Sequence, residues 1–436
     1  MLPRILIATF TLTVVASCQP AVDAPETRRL REDLMVHIYQ MTIENGLSPQ
    51  LKIQVPEGTD SILFEVHGKR GFYYLSKFRT PDLEGAASIR YGEDLVEGGA
   101  FSTRHAREVP GFTNWLYPNT PERNADPGVY RMIIRGETAG GDRLTNEEVE
   151  VRAYFKAKSN TTTCGLHLDF LVDGLKLGGL PSQETIDQVV SNIDSLYSNS
   201  GIGIIDYLTD ESKSIATSGM TAGDGLYDAS QSILLDARTR GKIRAGSVRV
   251  LMGYSLGESL ANKAGYSLGL PGPVDPDHPA SAVLVGTESF YSANGSINVE
   301  RLSTTVAHEI GHYLGLYHPS DGRSQLHDPI NDTPECNTAS CSKEYKENLM
   351  TANGSPLRHI LTEGQATVIK RHPLCIPMVI ATPPKNEACS KPCVAPKTCA
   401  LLSGQEVCRV ACEPGGMACS DSQSCRIDER GTYVCL

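Results

Sequence analysis

The chain has no excess of basic charge: 40 Lys and Arg stand against 51 Asp and Glu, a net charge of −11. A nucleic-acid binder needs a basic face for phosphate, so that class is excluded, although the acidity names no partner of its own. Beyond the leader, no segment is apolar enough to cross a bilayer, which needs about 20 such residues. Residues 389–435, where cysteine is densest, hold no histidine and no paired C-x2-C spacing, which argues against a zinc module there. Apolar content of 40% and charged content of 21% are those of ordinary folded protein.

What is present begins with Met1-Leu2-Pro3-Arg4, a short positive start, followed by the mainly apolar Ile5–Ala16. That run is too short to span a membrane and reads as a signal-peptide core. It closes on Val15-Ala16-Ser17-Cys18, which resembles the lipobox of bacterial lipoproteins. The resemblance implies a signal peptide over 1–17, lipidation at Cys18 and a polar tether over 18–32. The expected location is then the bacterial cell envelope, at the outer membrane, with the membrane reached through the lipid, or outside the cell. A plain secretory signal with an incidental cysteine is the alternative.

Thirteen cysteines less Cys18 leave twelve, an even number that favours disulfides in an exported chain. Eight of them form two blocks, Cys389-x3-Cys393-x5-Cys399-x8-Cys408 and Cys412-x6-Cys419-x5-Cys425-x9-Cys435, an internal repeat. So small a unit can hardly build a sufficient core, which predicts disulfide-rich modules over 389–436 behind a linker at 377–388.

The expected architecture is multidomain. Over 33–157, short β-type segments (Leu34–Met41, Leu51–Val55, Ile62–Val66, Val129–Ile134, Val149–Phe155) alternate with turn clusters and predict an all-β sandwich, read as a spacer or packing domain. Over 158–376, strands at 166–171, 202–207, 248–254 and 282–285 alternate with helices over 182–197, capped by Ser182, and 225–241, which predicts a central α/β domain. Thr362-Glu363-Gly364-Gln365 has the form of a capping box and opens a last helix that Pro373 stops.

The chemistry lies in His308-Glu309-Ile310-Gly311-His312-Tyr313-Leu314-Gly315-Leu316-Tyr317-His318. Leu302, Val306, Ile310 and Leu314 recur every four residues, so the stretch is helical and His308 and His312 share one face. Two imidazoles on one turn can ligate a zinc ion at little ordering cost, while Glu309 is free to take the proton of a water on the metal. Gly315 lets the backbone turn so that His318 approaches from the other side; three histidines leave the fourth position open, as in a catalytic rather than structural site. A chance match to these five positions is on the order of 10⁻⁴, which sets aside scattered surface histidines.

HEIGHYLGLYH resembles the extended zinc motif of the metzincin metallopeptidases and, through Gly311 and Leu316, the pappalysin family most. Asp332-Thr333-Pro334 and the methionine turn Asn348-Leu349-Met350 follow in the family's order. The resemblance covers about 160–376 and implies a metzincin-like fold for the central domain, with Met350 as an apolar floor beneath the zinc. One position departs: Ala352 stands where many relatives carry a tyrosine that steadies the tetrahedral intermediate, which leaves Tyr345 or Tyr317 as substitutes. Related peptidases hold calcium near this point, which brings in Asp328, Asn331 and Asp332; without EF-hand-like spacing, turn and cap chemistry is the simpler role. His327 reads as a surface imidazole rather than a fourth ligand. Cys336 is expected to pair with Cys341 and Cys164 with Cys375, one of three connectivities. A latency role for Cys164 as a thiolate on the zinc is opposed by the even cysteine count.

The expectation is therefore a zinc-dependent endopeptidase acting on protein or peptide substrates, with Glu309 as general base. Its rival is a surface binding lipoprotein on a catalytically weak peptidase scaffold, for which Ala352 is the one feature in favour.

Overall fold

A computed structural model of the chain describes residues 22, 24–81, 89–90, 110–173, 181–212, 244–257, 260, 262–278, 280–320, 327–336, 341–352 and 358–378, with four short strands between 397 and 435. The signal peptide and lipidation expected over 1–18, the helix expected over 225–241 and the linker expected over 377–388 lie outside those residues, except that Pro377 and Met378 are described and Pro377 belongs to a strand.

Nine strands fill the N-terminal part: β1 (Glu26–Arg31), β2 (Leu34–Ile43), β3 (Leu51–Val55), β4 (Thr59–Gly68), β5 (Phe72–Arg79), β6 (Ile89–Arg90), β7 (Phe112–Tyr117), β8 (Gly128–Glu137) and β9 (Glu147–Ala157). They form two antiparallel sheets, β1-β2-β9-β4-β7 and β3-β8-β5-β6. Alternate residues of both, among them Ile43, Phe64, Trp115 and Val151 from the first and Ile53, Phe78 and Met132 from the second, share one buried core. That is a sandwich, as the alternating pattern predicts. Part of the expected tether is instead strand β1, which pairs with β2 through its backbone while nearly all its side chains stay exposed. Backbone pairing of this kind leaves no apolar signature to read.

The second part is a mixed six-stranded sheet of β10 (Cys164–Asp173), β11 (Ile202–Ser212), β12 (Ser247–Gly253), β13 (Gly265–Ser267), β14 (Val283–Gly286) and β15 (Ile376–Pro377). Its order is β11-β10-β12-β14-β13, with β15 pairing β10. All pairs along the order are parallel except β13 with β14, so β13 is an antiparallel edge. Helix α1 (Gln183–Ser198), capped by the Ser182 side chain, buries Ile186, Val189, Ile193 and Tyr197. Helix α2 (Val299–Tyr313), capped by Asn298, carries the histidine motif; the Tyr197 hydroxyl donates to its Ala307 carbonyl at 2.6 Å. Two short helices follow, α3 (Lys343–Glu347) and α4 (Glu363–Arg371), the latter opened by the full Thr362–Gln365 capping box and ending at His372 before Pro373. Disulfides join Cys164 to Cys375 and Cys336 to Cys341. With Cys164 so bound, no thiolate is left there to block a metal.

The two parts share a core. The opposite faces of β2, β4, β7 and β9 place Leu34, Val36, Leu63, Leu116 and Tyr154 in the same buried cluster as Leu302, Val306, Ile310 and Leu314 of the motif helix and its turn. Polar ties cross the junction as well. The Lys156 ammonium donates to the carbonyls of Lys370, His372 and Cys375, the Arg371 guanidinium to those of Thr120 and Arg123, and the Asn114 amide to Pro271. A mere spacer would not be buried on both faces of one sheet, so the N-terminal sandwich is part of the scaffold that holds the site.

At the C-terminus, β16 (Lys397–Leu402) pairs with β17 (Gln405–Val410), and β18 (Cys425–Ile427) with β19 (Tyr433–Cys435). Their backbone register sets Cys399 opposite Cys408 and Cys425 opposite Cys435, the third and fourth cysteines of each repeat. No described helix is long and apolar enough to cross a membrane.

Candidate metal centre

The motif helix ends as its sequence requires. Leu314 leaves the helical range, and Gly315 takes φ +103°, a conformation side-chain-bearing residues rarely adopt. A Cβ at Gly315 would also sit 3.0 Å from Leu116 of β7, so the turn that delivers His318 is packed directly on the sandwich.

His308, His312 and His318 converge as expected, and among the described residues they are the one group of three or more His, Cys, Asp or Glu whose ligand atoms lie close enough, within 4.8 Å of one another, to share a metal ion. Nε2 of His318 lies 3.1 Å from Nε2 of His312 and 3.3 Å from Nε2 of His308. Backbone carbonyls fix the tautomers: Nδ1 of His308 donates to Leu349 at 2.7 Å, and Nδ1 of His312 donates to Leu316 at 2.7 Å. A carbonyl can only accept, so each Nδ1 carries the proton and each Nε2 turns a lone pair inward. His318 brings its Nε2 against both of these lone pairs, the spacing expected of three ligands around one cation. Metal–nitrogen bonds of about 2.0–2.1 Å at tetrahedral angles separate the nitrogens by about 3.3–3.4 Å, so the triad fits a tetrahedral ion such as zinc.

His308, Glu309 and His312 are buried, at 5%, 7% and 4% exposure, so an ion here would be shielded from solvent on the helix side. Glu309 lies against the edge strand: a Cβ on Gly265 of β13 would meet its Cγ at 2.6 Å and its Oε1 at 3.0 Å. A glycine at that position leaves room for the carboxylate beside the triad.

Met350 is fully buried below the motif helix, and a Cβ on Gly311 would fall 2.5 Å from its sulfur. The methionine turn is pinned from two directions. Asn348 Oδ1 accepts from Met350 N at 2.9 Å, while the amides of Asn348 and Gln365 exchange bonds of 2.9 and 3.2 Å. Gln365 thus serves both the capping box and the turn whose Leu349 carbonyl orients His308. Ala352 is exposed. The Tyr345 hydroxyl donates to the Ser320 carbonyl at 3.2 Å, and Tyr317 is buried.

The acidic residues after His318 have separate structural tasks. Asp328 Oδ1 accepts from the Thr333 hydroxyl at 2.6 Å and from Ile330 N at 3.2 Å, and Asp332 Oδ2 accepts from Gly364 N at 2.8 Å in the first turn of α4. Asn331 and Asp332 are exposed. The bonds these residues make are those of turn and cap chemistry. His327 is not a fourth ligand; its Nδ1 meets Ser320 Oγ at 3.0 Å and its Nε2 meets Glu335 at 3.3 Å.

Burial pushes the Asp328 carboxyl up to about 7, against the bonds from Thr333 and Ile330. The folded state therefore holds its proton more tightly than the unfolded chain does. That stability is fully present below the unfolded value near 3.8 and is lost as pH rises toward 7. Asp328→Asn should equal the wild type at pH 4 and exceed it at pH 8 by a few kcal/mol, since each tenfold change in proton affinity is worth about 1.4 kcal/mol. Denaturant melts across that range check it. A calcium-induced rise in the wild-type melting temperature that Asp328→Asn abolishes would show an ion site instead.

A cleft of about 600 Å³ opens where β1, β2 and β9 face residues 245–246 and 274–276, but none of the triad lines it. Its wall charges are paired, Arg28 with Glu26, Arg152 with Glu150 and Asp275, and Arg31 with Asp33 outside the lining.

No family model matches the chain, and no curated protein matches it in sequence. Among solved structures, metalloproteinase-II from Bacteroides fragilis aligns at 14% identity over 44% of this chain with a TM-score of 0.25, and the aligned region spans 60% of that protein. Archaemetzincin from Methanopyrus kandleri aligns at 14% identity over 48% of this chain and 88% of its own length, with a TM-score of 0.26.

Proposed function

We propose that the protein is a zinc-dependent endopeptidase of metzincin type, similar to the pappalysins, that hydrolyses peptide bonds of proteins outside the cytoplasm. The observation that supports this best is the meeting of three imidazole Nε2 atoms, with separations of 3.1 and 3.3 Å, beside the Glu309 carboxylate. A bound zinc ion would supply Lewis acidity toward the scissile carbonyl and the attacking water.

The chain's own residues do the rest. Glu309 takes a proton from the attacking water and passes it to the leaving amine, the exchange that general acid–base catalysis requires. Its carboxylate is held between α2 and the edge strand β13. The carbonyls of Leu349 and Leu316 keep His308 and His312 in the ligating tautomer throughout. The lipobox resemblance at Cys18 supports an envelope location through a lipid, with the cysteine-rich repeats beyond the enzyme as disulfide modules.

Dialysis of the mature protein against a chelator should abolish digestion of an unstructured protein such as casein, and one equivalent of zinc should restore it. Failure to cleave casein, with one zinc bound, would favour the rival reading of a binding lipoprotein on a peptidase scaffold.

A further inference from the structure

Among the described residues, Arg358, which lies outside the motif, sets a charged side chain against a member of the triad. Arg358 is only 8% exposed. Its Nη1 donates to the Thr351 carbonyl at 3.2 Å and lies 3.2 Å from Nδ1 of His308. Both of those nitrogens carry hydrogens, and Nδ1 already gives its proton to Leu349 at the shorter distance of 2.7 Å. The guanidinium is therefore not a hydrogen-bond partner of the imidazole but a cation packed on its outer edge.

That placement has a cost. Arg358 Nε donates to nothing among the described residues, and a desolvated guanidinium with unfilled donors destabilises a fold. Burial works against its charge, while the Glu309 carboxylate favours it. The usual outer partner of a metal-ligating histidine is a carbonyl or carboxylate, which makes the ring a better donor. Here a carbonyl and a cation meet the same ring, and the cation opposes the carbonyl.

We propose that Arg358 is a positioning residue of the metal centre, a fixed positive charge beside His308 that makes this ligand a weaker donor and leaves the bound ion more electron-poor. The proposal rests on reading the triad as a metal site. It implies that the chain gives up some metal affinity for a stronger Lewis acid, in a site where Ala352 provides no phenol to share the developing charge.

The test is competition titration of the full-length protein with zinc and with cobalt, in wild type, Arg358→Gln and Arg358→Lys. Arg358→Gln should bind both metals about tenfold more tightly, shift the cobalt d–d bands, and lower kcat about tenfold at unchanged KM, within the range of second-layer changes at metal sites. Arg358→Lys, which keeps the charge, should stay near the wild type on all three. Weaker binding by Arg358→Gln, or an unmoved cobalt spectrum, would overturn the proposal and leave Arg358 a strut for the Thr351 turn. If Arg358→Gln does not fold, a Lys variant that departs from the wild type in affinity and spectrum overturns it equally. Wild-type protein that binds neither metal would instead sink the metal reading itself.

Discussion

Glu309→Gln is expected to lower peptide hydrolysis about 10²–10⁴-fold while metal content and melting temperature stay unchanged. Glutamine has the same shape as glutamate and fits the space beside Gly265, where a Cβ would crowd the side chain at 2.6 Å. It cannot accept the proton of the attacking water, so the loss should fall on kcat rather than on KM. His308, His312 and His318 stay in place, because their orientation depends on the carbonyls of Leu349 and Leu316 and on the Gly315 turn, not on Glu309. Equal rates in wild type and mutant would mean that another base does the work or that the cleavage comes from a contaminant. Zinc stoichiometry measured on the same samples separates a lost base from a lost metal.

The second large effect concerns the N-terminal sandwich. A chain beginning at residue 158 is expected not to fold. Its removal would expose the surface that Leu34, Val36, Leu63, Leu116 and Tyr154 now cover, and would leave the carbonyls of Lys370, His372 and Cys375 without the Lys156 ammonium. A milder probe is Leu116→Ala, at a 2% exposed position that packs on the Gly315 turn. It should cost about 2–5 kcal/mol and weaken metal binding through His318. Thermal melts followed by tryptophan fluorescence and by activity should coincide, since Trp115 sits in the sandwich and the triad in the other part. Two separated transitions, or a 158–378 fragment that folds and binds zinc, would contradict the shared core.

Several elements were legible because their signals are local. The α2 helix, its glycine exit and the third histidine follow from spacing alone, and the structure places the three imidazoles together. The capping box of α4 is likewise a four-residue pattern, and both described disulfides join the expected cysteines. Strand β7 gave no such signal. All six of its residues are buried, because Trp115 and Tyr117 face the core between the two sheets while Phe112, Asn114 and Leu116 meet His278, Pro271 and the Gly315 turn of the second part, so the alternation that marks a half-exposed strand is missing. Strand β1 was hidden for the opposite reason, having almost no buried side chain.

The sequence by itself determined which residues could bind a metal and act as a base, since three histidines and a glutamate at fixed helical spacing need only one helix and one turn. Only the tertiary structure decided how those residues are tuned. The carbonyl that sets the His308 tautomer comes from Leu349, 41 residues away; the cation on the same ring comes from Arg358, 50 residues away; and the side chain against the Gly315 turn belongs to the sandwich. Contacts between distant segments arise from how sheets and helices stack, and no periodicity along the chain records them.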